Sequence, residues 1–326
     1  MDIIPLCRIV LTMTGLALAT GLIQGEETNW GKWGENDQVG TLNYITPDAV
    51  RYAASLVKQG KVLALGLPFA PGHPNGGGPN GRIYRYMIQT AQNTGQTPGF
   101  AEDHLYTETH GTSHYDGIVH FYANGKIYNG YDAETYVTEK GAMKNGIEHV
   151  ADKIVGRGVL LDLARYKEVI HLPAGYVITV DDMEGAARKQ GVDFREGDII
   201  LVHSGWQMRW YREGEAAFRS GSPGIGWEVS QWLKRNHASF FGSDLPNQEI
   251  KPIETDTPRK SGAPTWHLPI HLEMNRNQGM MLGDHLYLHE LAEDCATDGI
   301  YEFMFVGPPL NILHGTGSPV NPQAIK

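Results

Sequence analysis

Three histidines and one aspartate fall within the eleven residues from His110 to His120, in the spacing H-x3-H-x-D-x3-H. Imidazole nitrogens and carboxylate oxygens are the usual ligands of a catalytic divalent metal. A loop carrying several of them can surround one ion and still leave a position open for water. Gly111, Thr112, Ser113 and Gly117 are poor helix formers, so the stretch reads as a loop or strand end. Tyr106, Thr107 and Thr109 just before it suggest a β-strand that delivers the chain to the loop. His110, His114 and Asp116 are the first candidate metal ligands. His120 is either a fourth ligand or a general base, and spacing alone leaves both roles open.

Composition bounds the rest. The chain has 326 residues, 41% hydrophobic and 20% charged, which is enough for one large globular domain or two small ones. The formal net charge is −10 with no basic block, which argues against a nucleic-acid partner. With 40 glycines and 18 prolines the architecture should be rich in turns and loops.

The N-terminus reads as a targeting segment. Arg8 precedes an uncharged apolar run from Ile9 to Ala19, and Ala17-Leu18-Ala19 has the small-x-small form of a signal-peptidase site. Residues 1–25 are accordingly expected to be a cleaved signal peptide and 26–326 a single domain, secreted or periplasmic. The run is short for a membrane span, so no stable span is expected in the mature chain. Cys7 falls in the presumed signal, which leaves Cys295 without a disulfide partner. Its neighbours Leu291, Ala292 and Ala296 mark it as a packed thiol.

Along the chain, Thr46-Pro47-Asp48 announces a helix start and Gly60 follows its end. Lys61 to Phe69 and Arg82 to Thr90 look like strands. Residues 70–81 form a Pro/Gly/Asn loop long enough to be a lid or a substrate wall. Further strands are expected near 159–163, 198–203, 239–242 and 301–306. Helices are expected up to Gly191 with Asp181 or Asp182 as cap, and near 225–236, His271 and 286–296. Helices and strands alternate after residue 155, whereas the first half is strand-rich, so the fold class is α/β with a mixed central sheet. No glycine-rich phosphate loop follows any strand.

More ligands must come from downstream. His271 is the best candidate, opening a helix 13 residues before Asp284, with His267 and His285 as rivals. His203 and Asp244 each end a strand, where site residues collect in α/β sheets, although plain strand-end hydrogen bonding explains them equally well. His73, His104, His149, His171, His237 and His314 read as surface or structural. Ser204 lacks a G-x-S-x-G elbow and is not a nucleophile. Trp206 is a candidate substrate-binding residue, because an aromatic face suits a planar ring.

The chain resembles the metal-dependent cyclase-like hydrolases, the family of bacterial kynurenine formamidase and isatin hydrolase. His110, His114, Asp116 and His120 match its core motif. Gly197 to Trp206 resembles a second family strand, His271 through Gly279 to Asp284 its His-then-acid segment, and Gly315 to Pro319 the closing loop of its longer members. The chain departs at Thr112 and Ser113, where formamidases carry Gly and Thr, at Ile118 in place of Pro, and at Asp284, where Glu is usual and Glu290 is a rival. The resemblance implies a swivelling β/β/α fold, a homodimer or homotetramer, and a Zn2+ or Mn2+ ion held by His110, His114, Asp116, His271 and Asp284. It also implies His120 as proton carrier. The expected reaction is hydrolysis of a carbonyl C–N bond, in an amide, formamide or lactam of a small substrate. A lactone hydrolase, a true cyclase or dehydratase, and a non-catalytic exported metal-binding protein are the alternatives.

Overall fold

A computed structural model of the chain describes residues 27–70, 73–74, 83–95, 98–254, 259, 262–264 and 267–326. The expected export signal and most of the 70–81 loop lie outside the described residues. Among the described residues, nine strands form one mixed sheet: β1 (Val62–Ala64), β2 (His114–Asp116), β3 (Val155–Asp162), β4 (Ile199–His203), β5 (Phe240–Ser243), β6 (Met281–Asp284), β7 (Glu302–Val306), β8 (Gly317–Pro319) and β9 (Gln323–Ile325). Their order is β1-β9-β7-β3-β4-β5-β6-β2-β8. The four central strands β3 to β6 run parallel, and both flanks are antiparallel. The fold is thus the expected α/β class with a mixed central sheet.

The parallel strands are apolar runs because both their faces are covered. Alternate residues serve two cores. Leu160, Ile199, Leu201, Phe240 and Met281 pack on one face with Leu291, Ala292 and Cys295 of helix α5 (His289–Asp298). Val159, Leu161, Ile200, Val202, Phe241 and Leu282 pack on the other. There they meet α2 (Val180–Gln190), α3 (Trp206–Glu213) and α4 (Trp227–Arg235). Cys295 is free and buried, and burial pushes its thiol up to about 12, so it packs rather than reacts.

Helix α1 (Pro47–Ser55) starts as expected, with the Thr46 side chain accepting from the Ala49 N–H. Three boundaries differ from the sequence reading. The cap of α2 is Thr179, and Asp182 is its partner at the third helical position, reaching back to the Thr179 N–H. The strand sought at 61–69 shrinks to β1, because it pairs only with the three-residue β9. α5 begins at His289 rather than 286, after Asp284 ends a buried strand. Tyr84–Gln89 and Glu102–Tyr106 form a separate antiparallel hairpin. Among the described residues no helix is long and apolar enough to cross a membrane.

Parallel pairing aligns the C-terminal ends of β3 to β6. Asp162 stands beside His203, and Ser243 beside Val202. β2 then adds antiparallel to β6 with His114 opposite Asp284. One edge of the sheet therefore carries a row of polar residues over two apolar cores.

Candidate metal centre

Strand pairing places the first residues. His114 and Asp116 sit on β2 between β6 and β8, with Asp284 and Pro319 opposite His114 and Gly317 opposite Asp116. His110 comes in from the preceding turn. A Cβ on Gly317 would lie 2.3 Å from His110 Nε2, so only glycine lets the ring approach the strand.

The Asp116 carboxylate is the hub. His114 Nε2 stands 3.3 Å from its Oδ1, and the Nε2 atoms of His110 and His120 stand 3.7 Å from it. His271 Nε2 approaches Oδ2 at 3.7 Å. Asp284 Oδ2 is 3.9 Å from His114 Nε2. Two groups thus have ligand atoms close enough to share an ion, His110/Asp116/His120 and His114/Asp116/Asp284, with Asp116 in both. His110 and His120 stack with ring centroids 3.9 Å apart, and their side chains keep 21% and 30% exposure, so this side of the cluster faces solvent.

Neighbouring groups set which nitrogen points inward. His114 Nδ1 donates to the Thr112 carbonyl at 2.6 Å. His271 Nδ1 donates to Glu249 Oε1 at 3.0 Å, and the same oxygen accepts from the Ile270 and His271 N–H groups. With Nδ1 occupied, each neutral ring offers the Nε2 lone pair to the cluster. Asp284 Oδ1 accepts from Gln248, whose Oε1 accepts in turn from Ser243. His271 ends a short helix, Pro269–His271, that runs into a π-helical segment, Leu272–Gln278. Such wide turns recur at functional sites.

Protein groups alone leave this cluster electrostatically unsettled. Burial drives the His110 imidazole down to about 3. Burial also opposes a charge on His114, but Asp116 and Asp284 beside it win and hold it up at about 9. Burial would raise Asp116, yet the surrounding histidines hold its carboxyl well below the usual carboxylate range. Burial and the neighbouring Asp116 charge push Asp284 up to about 6. Asp116 Oδ1 and His110 Nε2 are both buried without a hydrogen-bond partner. Two buried carboxylates ringed by inward-facing imidazoles, with orphaned ligand atoms, fit a divalent ion.

The structure thus brings His110, His114, Asp116, His120, His271 and Asp284 together. The rivals fall outside the cluster: Glu290 and His267 are exposed. His285 is buried behind His114, ring centroids 6.3 Å apart, and points no nitrogen at Asp116 within ion-pair range. Trp206 is corrected. It follows the left-handed Gly205 turn into the core, has no exposed surface, and packs on Phe218 and His171, so its indole face is taken up by the core. His203 and Asp244 make strand-end hydrogen bonds, to Asp162 at 2.8 Å and from Ser204 at 2.6 Å. His171, His237 and His314 pair with glutamates. Sequence reasoning missed Glu249 and Gln248. They sit in an irregular segment before the Pro269 helix, where no periodicity flags them.

The family model described as "Putative cyclase" matches residues 63–249, more than half of the chain. A crystal structure of a novel cyclase is 34% identical, covering 92% of this chain and 97% of that one, with a TM-score of 0.83. Isatin hydrolase A from Labrenzia aggregata, bound to benzyl benzoate, is 18% identical over 83% of this chain and 94% of its own, TM-score 0.59. Isatin hydrolase A from Ralstonia solanacearum is 20% identical over 86% and 98%, TM-score 0.57. At those identities the likeness to the isatin hydrolases is one of fold. A search of the curated proteins found no match. By the family match and by identity sustained along nearly its whole length, the chain belongs to the cyclase family.

Proposed function

We propose that this protein is a metal-dependent hydrolase that opens or cleaves a carbonyl C–N bond, in an amide, formamide or lactam, of a small cyclic or aromatic substrate. One observation carries the reading: the Asp116 carboxylate is ringed by four imidazole Nε2 atoms and backed by Asp284. His110, His114, Asp116, His271 and Asp284 would hold a Zn2+ or Mn2+ ion, which supplies Lewis acidity and lowers the pKa of water to about 7. His120, on the solvent side of the cluster, takes a proton at Nε2 and returns it to the leaving nitrogen. Its stacking on His110 fixes the ring for that transfer. Glu249 holds His271 in the tautomer that directs Nε2 inward.

The partial exposure of His110 and His120 favours turnover over a closed, carrier-type shell, since catalysis needs an open position. The isatin hydrolase fold neighbours support a ring-opening C–N hydrolase over a lactone hydrolase or dehydratase. A hydrolysis panel of amide, formamide, lactam and lactone substrates with metal-loaded protein tests the choice. Turnover of the C–N substrates is expected. Turnover of lactones alone, or of none, overturns it.

We further propose that the chain is exported and works as a homodimer or homotetramer. The apolar run at residues 9–19 supports export. The hairpin supports assembly: it exposes Tyr84, Tyr86, Met87, Leu105 and Tyr106, and a two-stranded hairpin is marginal on its own in water.

A further inference from the structure

A second cluster occupies the same sheet edge at β3 and β4, four and three strands from β2 and so roughly 14–19 Å from the metal centre. It floors a cavity of about 390 Å³, within the size range of small-molecule sites. Asp162 and His203 form the floor. His203 is 5% exposed, and its Nδ1 is held by Asp162 Oδ1 at 2.8 Å. Its Nε2 is buried and has no hydrogen-bond partner; Asp244 Oδ2, 4.0 Å away, is too far to serve. His289 Nδ1, on the same lining, is equally unpartnered. Two orphaned imidazole nitrogens in one cavity need a ligand or water to satisfy them.

Charge and shape narrow the ligand. Each carboxylate on the lining has a cationic partner. Burial opposes a charge on His203, but Asp162 and Asp244 beside it hold the imidazole above its ordinary value, so His203 serves as a cation with an Nε2–H to donate. His203 then answers Asp162, Arg165 answers Glu293, and Lys189 answers Glu168. Arg212, on the rim, makes no ion pair among the described residues. One guanidinium is therefore in surplus, enough for a single negative charge; a dianion would meet Glu168 and Glu293. Val169, Ile170 and Met208 supply an apolar wall.

We propose that this cavity is a second small-molecule site that takes a monocarboxylate, its charge on Arg212 and its oxygens toward His203 Nε2. The proposal is independent of the hydrolase reading. A carboxylate can also bind the catalytic ion, so the site is tested with that route removed. Benzoate binding is measured by calorimetry on metal-loaded wild type, on His114→Ala, and on His114→Ala combined with Arg212→Gln. Binding is expected to persist in His114→Ala and to weaken by about tenfold or more with Arg212→Gln, the loss of one charge-assisted contact. Crystals of metal-loaded protein grown with 4-bromobenzoate should show an anomalous bromine peak in the cavity between His203 and Arg212. Arg212 is exposed, so its variant should fold normally. Loss of all benzoate binding in His114→Ala, equal affinity with Arg212→Gln, or bromine only at the metal centre would each overturn the proposal.

Discussion

His120 lies flat against His110, 16° from parallel, and both rings hold Nε2 at 3.7 Å from the same oxygen of Asp116. Distance to the carboxylate therefore does not separate ligand from base. Chemistry does. His120→Ala should keep most of the metal while kcat falls by about 10²–10⁴-fold, the range of a lost general acid–base group. Metal content and kcat measured on the same preparation check this. Metal loss equal to that of His114→Ala would make His120 a ligand.

Glu249 touches no other member of the cluster, yet it fixes His271 through Nδ1. Glu249→Gln should weaken metal affinity by about 10–100-fold, as for other groups that orient a ligand. Competition with a chelator measures the change, and circular dichroism should show the fold retained. An unchanged affinity would remove His271 from the ligand set.

The cap of α2 predicts a stability effect with a definite pH dependence. Thr179→Ala should cost about 1 kcal/mol. Burial works against an ionised Asp182, but Lys167, the Thr179 N–H and Tyr176 together hold its carboxyl below the ordinary value. A depressed folded-state pKa stabilises above the unfolded value and loses that contribution as pH falls through the folded one. The stability gap between wild type and Asp182→Asn should then be constant from about pH 6 to 8 and narrow below about pH 4. Urea titrations across that range test it; a gap that widens in acid would contradict the assignment.

Export makes a simple prediction. Native protein should begin between Thr20 and Glu27, after the apolar run. N-terminal sequencing that returned residues before Thr20 would refute cleavage there.

The parts of the site legible in the sequence are those packed into short spacing. His110 to His120 declare themselves because a loop and a three-residue strand span the whole group. His271 and Asp284 could be proposed because each sits at an element end, but only the pairing of β6 with β2 places Asp284 across from His114. Glu249 and Gln248 were not legible: they reach the site from an irregular segment through tertiary packing. Trp206 misled for a related reason. Its position after a polar strand end suggests a site, whereas the left-handed Gly205 turn sends the indole into the core. The main strands were readable as apolar runs, while edge strands such as β1 and β9 depend on partners distant in sequence.

Asp116, shared by both candidate ligand groups, is the residue on which a divalent metal site here would depend most. Metal analysis of purified wild type and Asp116→Ala, grown with zinc and manganese supplied, tests it most directly. Wild type should carry a divalent ion in stoichiometric amount, and Asp116→Ala should lose it together with hydrolytic activity. The drop in affinity should exceed the roughly 10–100-fold typical of groups that merely orient a ligand. Full metal occupancy in Asp116→Ala, or a folded wild type that takes up no divalent ion, would contradict the account.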